Sequence, residues 1–496
     1  MNPVQQAQRL IATGRAADAL DLLAPLAAAD VPAHAILAKQ ADALKLLGRP
    51  EEALAVQRRT VELYPASGIA WHNLATDLAD LRRGTEARST ASQALQLGLD
   101  APETWYVLGN ACVLLADLDE AERAYRQALR RRPAYWQAAF ALTRLTWMRT
   151  GDPDAALEPA RAARQAGRLE PMLVLVEAKI LECAGQADEA ESVLRQALSI
   201  TPGDPHFLHA LSLLAFDRGE LDAASRLMEQ ALAKLPADAK LLGCLVSIRL
   251  AQGRGDEALS LARRATETSP LDQSTWGWLA TAARAVGDPA HAQLCDYPSF
   301  VRSYRIETPA GWPSLEAYLA DLSTALRRLH IFDVAPADQS LRHGAQTPGD
   351  LTACDDPVVQ TFFRAIDAPI RRYMVEVGRG SDPLRSRNTG DYQVSAAWSV
   401  LLKPNGFHID HFHPEGWLSS AFYVEVPAAA LDANERQGWI KFGQAPSPTV
   451  PPQPPEYFVR PEPGLLVLFP SYLWHGTIPF TSDESRMTIA FDLLSK

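Results

Sequence analysis

Between residues 405 and 426 the chain reads Asn-Gly-Phe-His-Ile-Asp-His-Phe-His-Pro-Glu-Gly-Trp-Leu-Ser-Ser-Ala-Phe-Tyr-Val-Glu-Val. Three of its eleven histidines and one aspartate (His408, Asp410, His411, His413) fall within six residues of it, and an apolar, strand-like run follows. Farther on, His475 closes a second apolar run, and Arg486 opens a third. Imidazoles with or without a carboxylate are the ligands of non-haem iron, where a facial set of three leaves neighbouring positions open. Residues i and i+2 of an extended segment point the same way, so two ligands spaced by one residue suit a strand end. The stretch offers that spacing twice, in opposite parity: His408 with Asp410, or His411 with His413. The first supplies a carboxylate; the second has the shorter lead into the strand at Leu418. His475 completes either set. With Arg486 behind it, the arrangement outlines a mononuclear iron site that also holds a small dicarboxylate.

The surrounding residues read as a small β structure preceded by helices. Residues 314–330 are amphipathic behind an N-cap serine with Glu316 in the first turn, which predicts a helix. Residues 356–377 predict a second, with Pro357 at its start. Between them 339–349 reads as a polar loop. From Asp391 the pattern turns to alternation, and strands are expected near 392–402, 417–426, 439–443, 464–469, 475–478 and 486–494. Lys403-Pro-Asn-Gly reads as a turn, and the proline-rich 446–455 as a mobile excursion at the rim. Short antiparallel strands after a pair of helices suggest a jelly-roll barrel.

The first 300 residues are of another kind. Pro65, Pro133, Pro202, Pro236 and Pro270 are separated by 68, 69, 34 and 34 residues, a period of about 34. In the clearest unit Trp105, Leu108, Gly109, Cys112, Ala121, Tyr125, Ala128 and Pro133 occupy the positions of the tetratricopeptide pattern. Small residues let two antiparallel helices approach, large apolar ones fill the gap, and proline stops the second helix. About eight or nine such helix pairs are expected over 1–300, none able to bury its face alone. The concave surface of such a solenoid binds proteins or peptides.

At 496 residues the chain exceeds one core, and 47% apolar with 22% charged residues is an ordinary globular composition. A net charge of −11 gives no reason to expect nucleic acid or an anionic membrane as partner. No apolar run approaches the ~18 residues of a membrane helix, and the first residues lack the layout of a signal peptide. The five scattered cysteines are an odd number without a C-x-x-C pair, in keeping with a reducing cytoplasm.

Four stretches resemble one family: Gln-Ser-Leu-Arg-His-Gly-Ala-Gln-Thr at 339–347, His-Phe-His-Pro-Glu-Gly-Trp-Leu-Ser-Ser-Ala-Phe-Tyr-Val from His411, Pro-Gly-Leu-Leu-Val-Leu-Phe-Pro-Ser-Tyr-Leu-Trp-His ending at His475, and Arg-Met-Thr-Ile-Ala-Phe-Asp from Arg486. They look like the 2-oxoglutarate/Fe(II)-dependent oxygenases that often follow tetratricopeptide repeats in bacteria. The resemblance spans roughly 295–496. The departures are Ser420 where glycine is usual, Phe422 for a tyrosine, and His343 and Ala345 in the first stretch. It implies a double-stranded β-helix (jelly roll) with flanking helices over 301–496, behind an all-α solenoid. It also implies Fe(II) held by His411, His413 and His475, and 2-oxoglutarate contacted by Arg486, Thr488 and Tyr423. Arginine suits a bidentate carboxylate clamp, and a hydroxyl two residues on faces the same way. Gln346, Thr347 and Trp398 are candidates to line the pocket. The resulting expectation is a cytoplasmic dioxygenase that hydroxylates a protein or peptide presented by the repeats. The alternatives are a three-histidine iron dioxygenase that does not use 2-oxoglutarate, and a non-catalytic interaction scaffold.

Overall fold

The computed structural model describes residues 2–332, 334–337, 339–432 and 435–496. Two compact units divide the chain: Met1–Leu145 with Glu158–Arg168, and Thr146–Leu157 with Leu169–Lys496. The first is built of tetratricopeptide-like helix pairs. In the Pro102–Leu114 and Leu118–Arg131 pair, a Cβ on Gly109 would lie 2.4 Å from the Tyr125 ring, so only glycine lets the helices close. The Tyr125 hydroxyl donates to Asn110 Oδ1 at 2.8 Å.

The second unit opens with helix pairs of its own. Its pairs are Pro171–Cys183 with Ala187–Ile200, Pro205–Asp217 with Leu221–Lys234, and Ala239–Ala251 with Gly255–Thr268; the Gln273–Val286 helix opens one more. The strands follow: β1 (Arg302–Arg305), β2 (Leu341–Gln346), β3 (Tyr392–His408), β4 (Leu418–Glu425), β5 (Ile440–Phe442), β6 (Tyr457–Val459), β7 (Leu465–Pro470), β8 (His475–Thr477) and β9 (Arg486–Ser495). They form an antiparallel six-stranded sheet, β1-β7-β4-β9-β3-β2, and a three-stranded sheet, β6-β5-β8. Side chains from both sheets meet between them, as where Phe442 packs edge-on against Phe469 at 5.0 Å. This is the double-stranded β-helix. On β9, Met487, Ile489, Phe491 and Leu493 face the core that Phe362 and Phe422 share, and the alternate residues face the sheet's other side.

Several local expectations change. Residues 356–377 form two helices, Pro357–Ala365 and Asp367–Val377, because Pro369 has no N–H to continue the first ladder and is tolerated only in a new first turn. The polar stretch 339–349 contains β2, which pairs with the edge of β3. Lys403-Pro-Asn-Gly does not reverse the chain. It bulges within β3, where pairing jumps from Leu402 with Gly344 to Phe407 with Arg342, and His343 and Asn405 take positive φ (52° and 63°). The proline-rich 446–455 is held down: Val450 N donates to Leu250 O at 3.0 Å, Gln453 Nε2 to Thr281 O at 3.0 Å, and Arg284 to Pro454 O at 2.9 Å. A segment whose prolines cannot donate satisfies its remaining polar groups on the repeat helices instead.

Candidate metal centre

After β3 ends at His408, residues 409–413 cross to the smaller sheet. His411 N donates to His475 O and His475 N to His411 O, both at 2.9 Å, and His413 N donates to Ser471 O at 3.0 Å. A directly opposed antiparallel pair turns both side chains to one face, and the i, i+2 relation adds His413. The ring centroids lie 4.3 Å apart for His411 and His475, and 5.2 Å from His413 to each. One ring nitrogen from each of the three lies within 4.8 Å of the others.

In all three rings Nδ1 is occupied. His411 Nδ1 sits 2.8 Å from Ile409 O, His475 Nδ1 2.9 Å from Leu473 O, and His413 Nδ1 2.6 and 2.7 Å from the two carboxylate oxygens of Asp492. These oxygens only accept, so Nδ1 carries the proton and each Nε2 presents a lone pair. Asp492 accepts a further bond from Ser419 Oγ at 2.7 Å, which fixes its own orientation. Burial, then the neighbouring imidazole of His413, pushes His411 down to about 3, and burial holds His475 well below its ordinary value. Both are therefore neutral near pH 7, the state in which imidazole binds a metal. The donor set, its tautomers and its outer partners fit an Fe(II)-type ion.

The other parity is separated. Asp410 receives Lys441 Nζ on Oδ2 at 2.7 Å, and its Oδ1 lies against Gly476, where a Cβ would approach to 2.6 Å. His408 lines the same cavity as the three histidines; its Nδ1 meets Ser340 Oγ at 3.2 Å, and its ring stacks on His411 at 5.7 Å.

That cavity, about 310 Å³, is also lined by Arg486, Thr488, Ala490 and Asp492, the alternate residues of β9. Arg486 is 2% exposed and makes no ion pair among the described residues; its Nε has no hydrogen-bond partner. Its guanidinium lies 5.0 Å over the Tyr423 ring, and burial lowers its pKa. A buried cation without a counter-ion is costly, so the arrangement calls for an anion from outside. Tyr423 supports the guanidinium from below and does not line the cavity. Gln346 and Trp398 do line it, with Trp398 stacked on His413 at 5.8 Å. Thr347 does not: it is buried, and its Oγ1 accepts from Ser399 N at 3.0 Å.

Asp492, Ser340 and Lys441 are the contributors that sequence reasoning passes over. Asp492 had a legible signal, since it lies six residues after Arg486 in the same strand parity. Lys441 and Ser340 had none, because their partners lie on other strands.

Comparison with known proteins finds matches in both parts of the chain. Residues 396–492 match the family model described as "Putative 2OG-Fe(II) oxygenase". Residues 4–68, 102–135, 148–205 and 183–243 match tetratricopeptide-repeat models. No curated protein matches the chain. Among solved structures, the chain is similar over 55% of its length to the APC/C hetero-tetramer Cut9-Hcn1, at 15% identity and a TM-score of 0.34, and it spans 56% of that chain. It is similar over 49% of its length to a tetratricopeptide repeat protein from Parabacteroides merdae, at 14% identity and a TM-score of 0.37, and it spans 96% of that one. Tetratricopeptide arrays generally mediate protein–protein contacts. No helix of the described residues is long and apolar enough to cross a membrane.

Proposed function

We propose that residues 301–496 form a 2-oxoglutarate- and Fe(II)-dependent oxygenase, and that the repeats of 1–300 present a protein or peptide to it for hydroxylation. One observation carries the reading. Arg486, buried and without an ion pair among the described residues, shares a single cavity with three imidazoles whose Nδ1 atoms are all engaged. Iron bound there with 2-oxoglutarate supplies the oxidation of a C–H bond by O2, coupled to release of succinate and CO2.

The residues divide the remaining work. His411, His413 and His475 hold the metal through Nε2. Asp492 keeps His413 in the required tautomer and strengthens it as a donor. Arg486 takes the distal carboxylate of 2-oxoglutarate, with the Thr488 hydroxyl on the same face, and Tyr423 holds the guanidinium flat beneath it. Trp398, Val400 and Ile440 give the cavity apolar walls that limit water.

The test is anaerobic addition of 2-oxoglutarate to the Fe(II)-loaded chain, followed by its visible metal-to-ligand charge-transfer band. A band, with succinate released once oxygen and a substrate are admitted, supports the assignment. A second reading has its own support, because the group contains no carboxylate ligand. A three-histidine iron dioxygenase would bind iron, give no band with 2-oxoglutarate, and make Arg486 dispensable. A chain that takes up no iron would leave the repeats as an interaction scaffold.

A further inference from the structure

The repeat array does not end on a complete pair. The Gln273–Val286 helix is followed by a helix of only five residues, Ala290–Leu294, yet ten of its own residues from Gln273 to Ala283 are buried. Part of its cover comes from the segments that carry the three histidines. Trp278 meets Phe412 edge-on at 6.4 Å and Trp474 at 4.9 Å, and Phe412 and Trp474 lie 4.2 Å apart. Trp474 Nε1 donates to Thr281 Oγ1 at 2.9 Å. At the helix N-terminus, where backbone donors have no intrahelical partner, Gln273 N donates to Pro414 O at 2.9 Å. A Cβ on Gly277 would lie 2.7 Å from Tyr472 O and 3.3 Å from the Phe412 ring, so the backbones are in close approach.

Phe412 stands between His411 and His413, and Trp474 immediately precedes His475. Alternate side chains of extended segments face opposite ways, so the helix grips the reverse side of both histidine-bearing segments. We propose that this last repeat helix, through Trp278 and Thr281, is a positioning element for the metal centre. It sets the separation between 411–413 and 474–475, which come from different parts of the chain and must be held to about half an ångström for three nitrogens to share one ion. Trp278 acts as a common wedge under Phe412 and Trp474, and Thr281 fixes the indole beside His475. The iron site is thereby completed by the repeat array, not only attached to it. This inference rests on the reading of the three histidines as ligands.

The experiment uses the full chain and Co(II), an oxygen-tolerant probe whose visible bands report coordination geometry. Thr281→Val keeps the shape but leaves a buried indole N–H without an acceptor; Thr281→Ser restores the hydroxyl. Trp278→Phe keeps a ring but uncovers part of the wedge, without orphaning a polar group. Ser247→Ala is the control: it removes another bond between a repeat helix and the C-terminal segment, Ser247 Oγ to Ser447 Oγ at 2.7 Å, away from the histidines. Thr281→Val and Trp278→Phe should each weaken Co(II) binding about tenfold and alter its bands, while Thr281→Ser and Ser247→Ala match the wild type. Wild-type affinity and spectrum in both Thr281→Val and Trp278→Phe would overturn the inference and leave the metal reading standing. A wild-type chain that binds no Co(II) would overturn both.

Discussion

Replacing Arg486 with methionine should make the folded chain more stable while removing its affinity for 2-oxoglutarate. Methionine keeps most of the apolar stem and removes a cation that lies 2% exposed without an ion pair among the described residues. Burying an ion costs several kcal/mol after relaxation. The Tyr423 face returns about 0.5–2 kcal/mol of that. The net gain on substitution should be about 1–3 kcal/mol in the absence of ligand, read as a higher urea midpoint at unchanged slope. With Fe(II) under anaerobic conditions 2-oxoglutarate should narrow or reverse that gap. A carboxylate deprived of its buried partner loses about 2–5 kcal/mol, so the 2-oxoglutarate concentration for half saturation should rise roughly 30- to 4,000-fold. The wild type should then gain about 2.7 kcal/mol at a hundred times its dissociation constant, and the variant less than about 1 kcal/mol at the same concentration. A variant that loses 3–5 kcal/mol without ligand, as when a structural ion pair is broken, and still binds 2-oxoglutarate normally would refute the reasoning.

Two further substitutions probe carboxylates around the site, and a third lies outside it. Asp492→Asn should lower iron affinity 10- to 100-fold, measured by competition with a chelator, because it frees the His413 tautomer. Asp410→Ala should leave the iron content of the folded chain unchanged and cost about 1–3 kcal/mol of stability by removing the ion-pair partner of Lys441, which keeps only Gln444 Oε1; loss of iron would instead make Asp410 a ligand. Outside the site, burial by itself lowers the His291 pKa, but its bonds to Cys295 and Glu456 outweigh that and raise it to about 10. A raised histidine stabilises in full below its unfolded value near 6.5 and ceases to do so as pH passes the folded one. Unfolding free energy should thus fall between pH 6.5 and 10, and a Glu456→Gln variant with the same slope would count against it.

Spacing is legible in a sequence where it reflects one element's own geometry. The period of about 34 marked the helix pairs because each pair must repeat the same small-against-large contact, as Gly109 does under Tyr125. The even spacing of Arg486 and Thr488 put both on one side of β9 for the same kind of reason. β2 escaped notice because Leu-Arg-His-Gly-Ala-Gln has no alternation of its own; it is a strand because the edge of β3 offers it hydrogen bonds. The proline-rich 446–455 looked loose for want of internal bonds, and its partners lie about two hundred residues earlier in the chain.

By itself, then, the sequence determined the two kinds of architecture, the presence of four closely spaced candidate ligands, and a candidate anchor in the right parity on the final strand. It left two ligand sets open, because His408 with Asp410 and His411 with His413 satisfy the same local rule. Only the tertiary structure gives them different surroundings. His411 bridges to His475 across the smaller sheet and brings His413 with it, while Lys441, from a strand thirty-one residues away, holds the Asp410 carboxylate. Parity is a property of one strand, but which face of that strand meets another histidine depends on what it pairs with, and pairing is set across the fold.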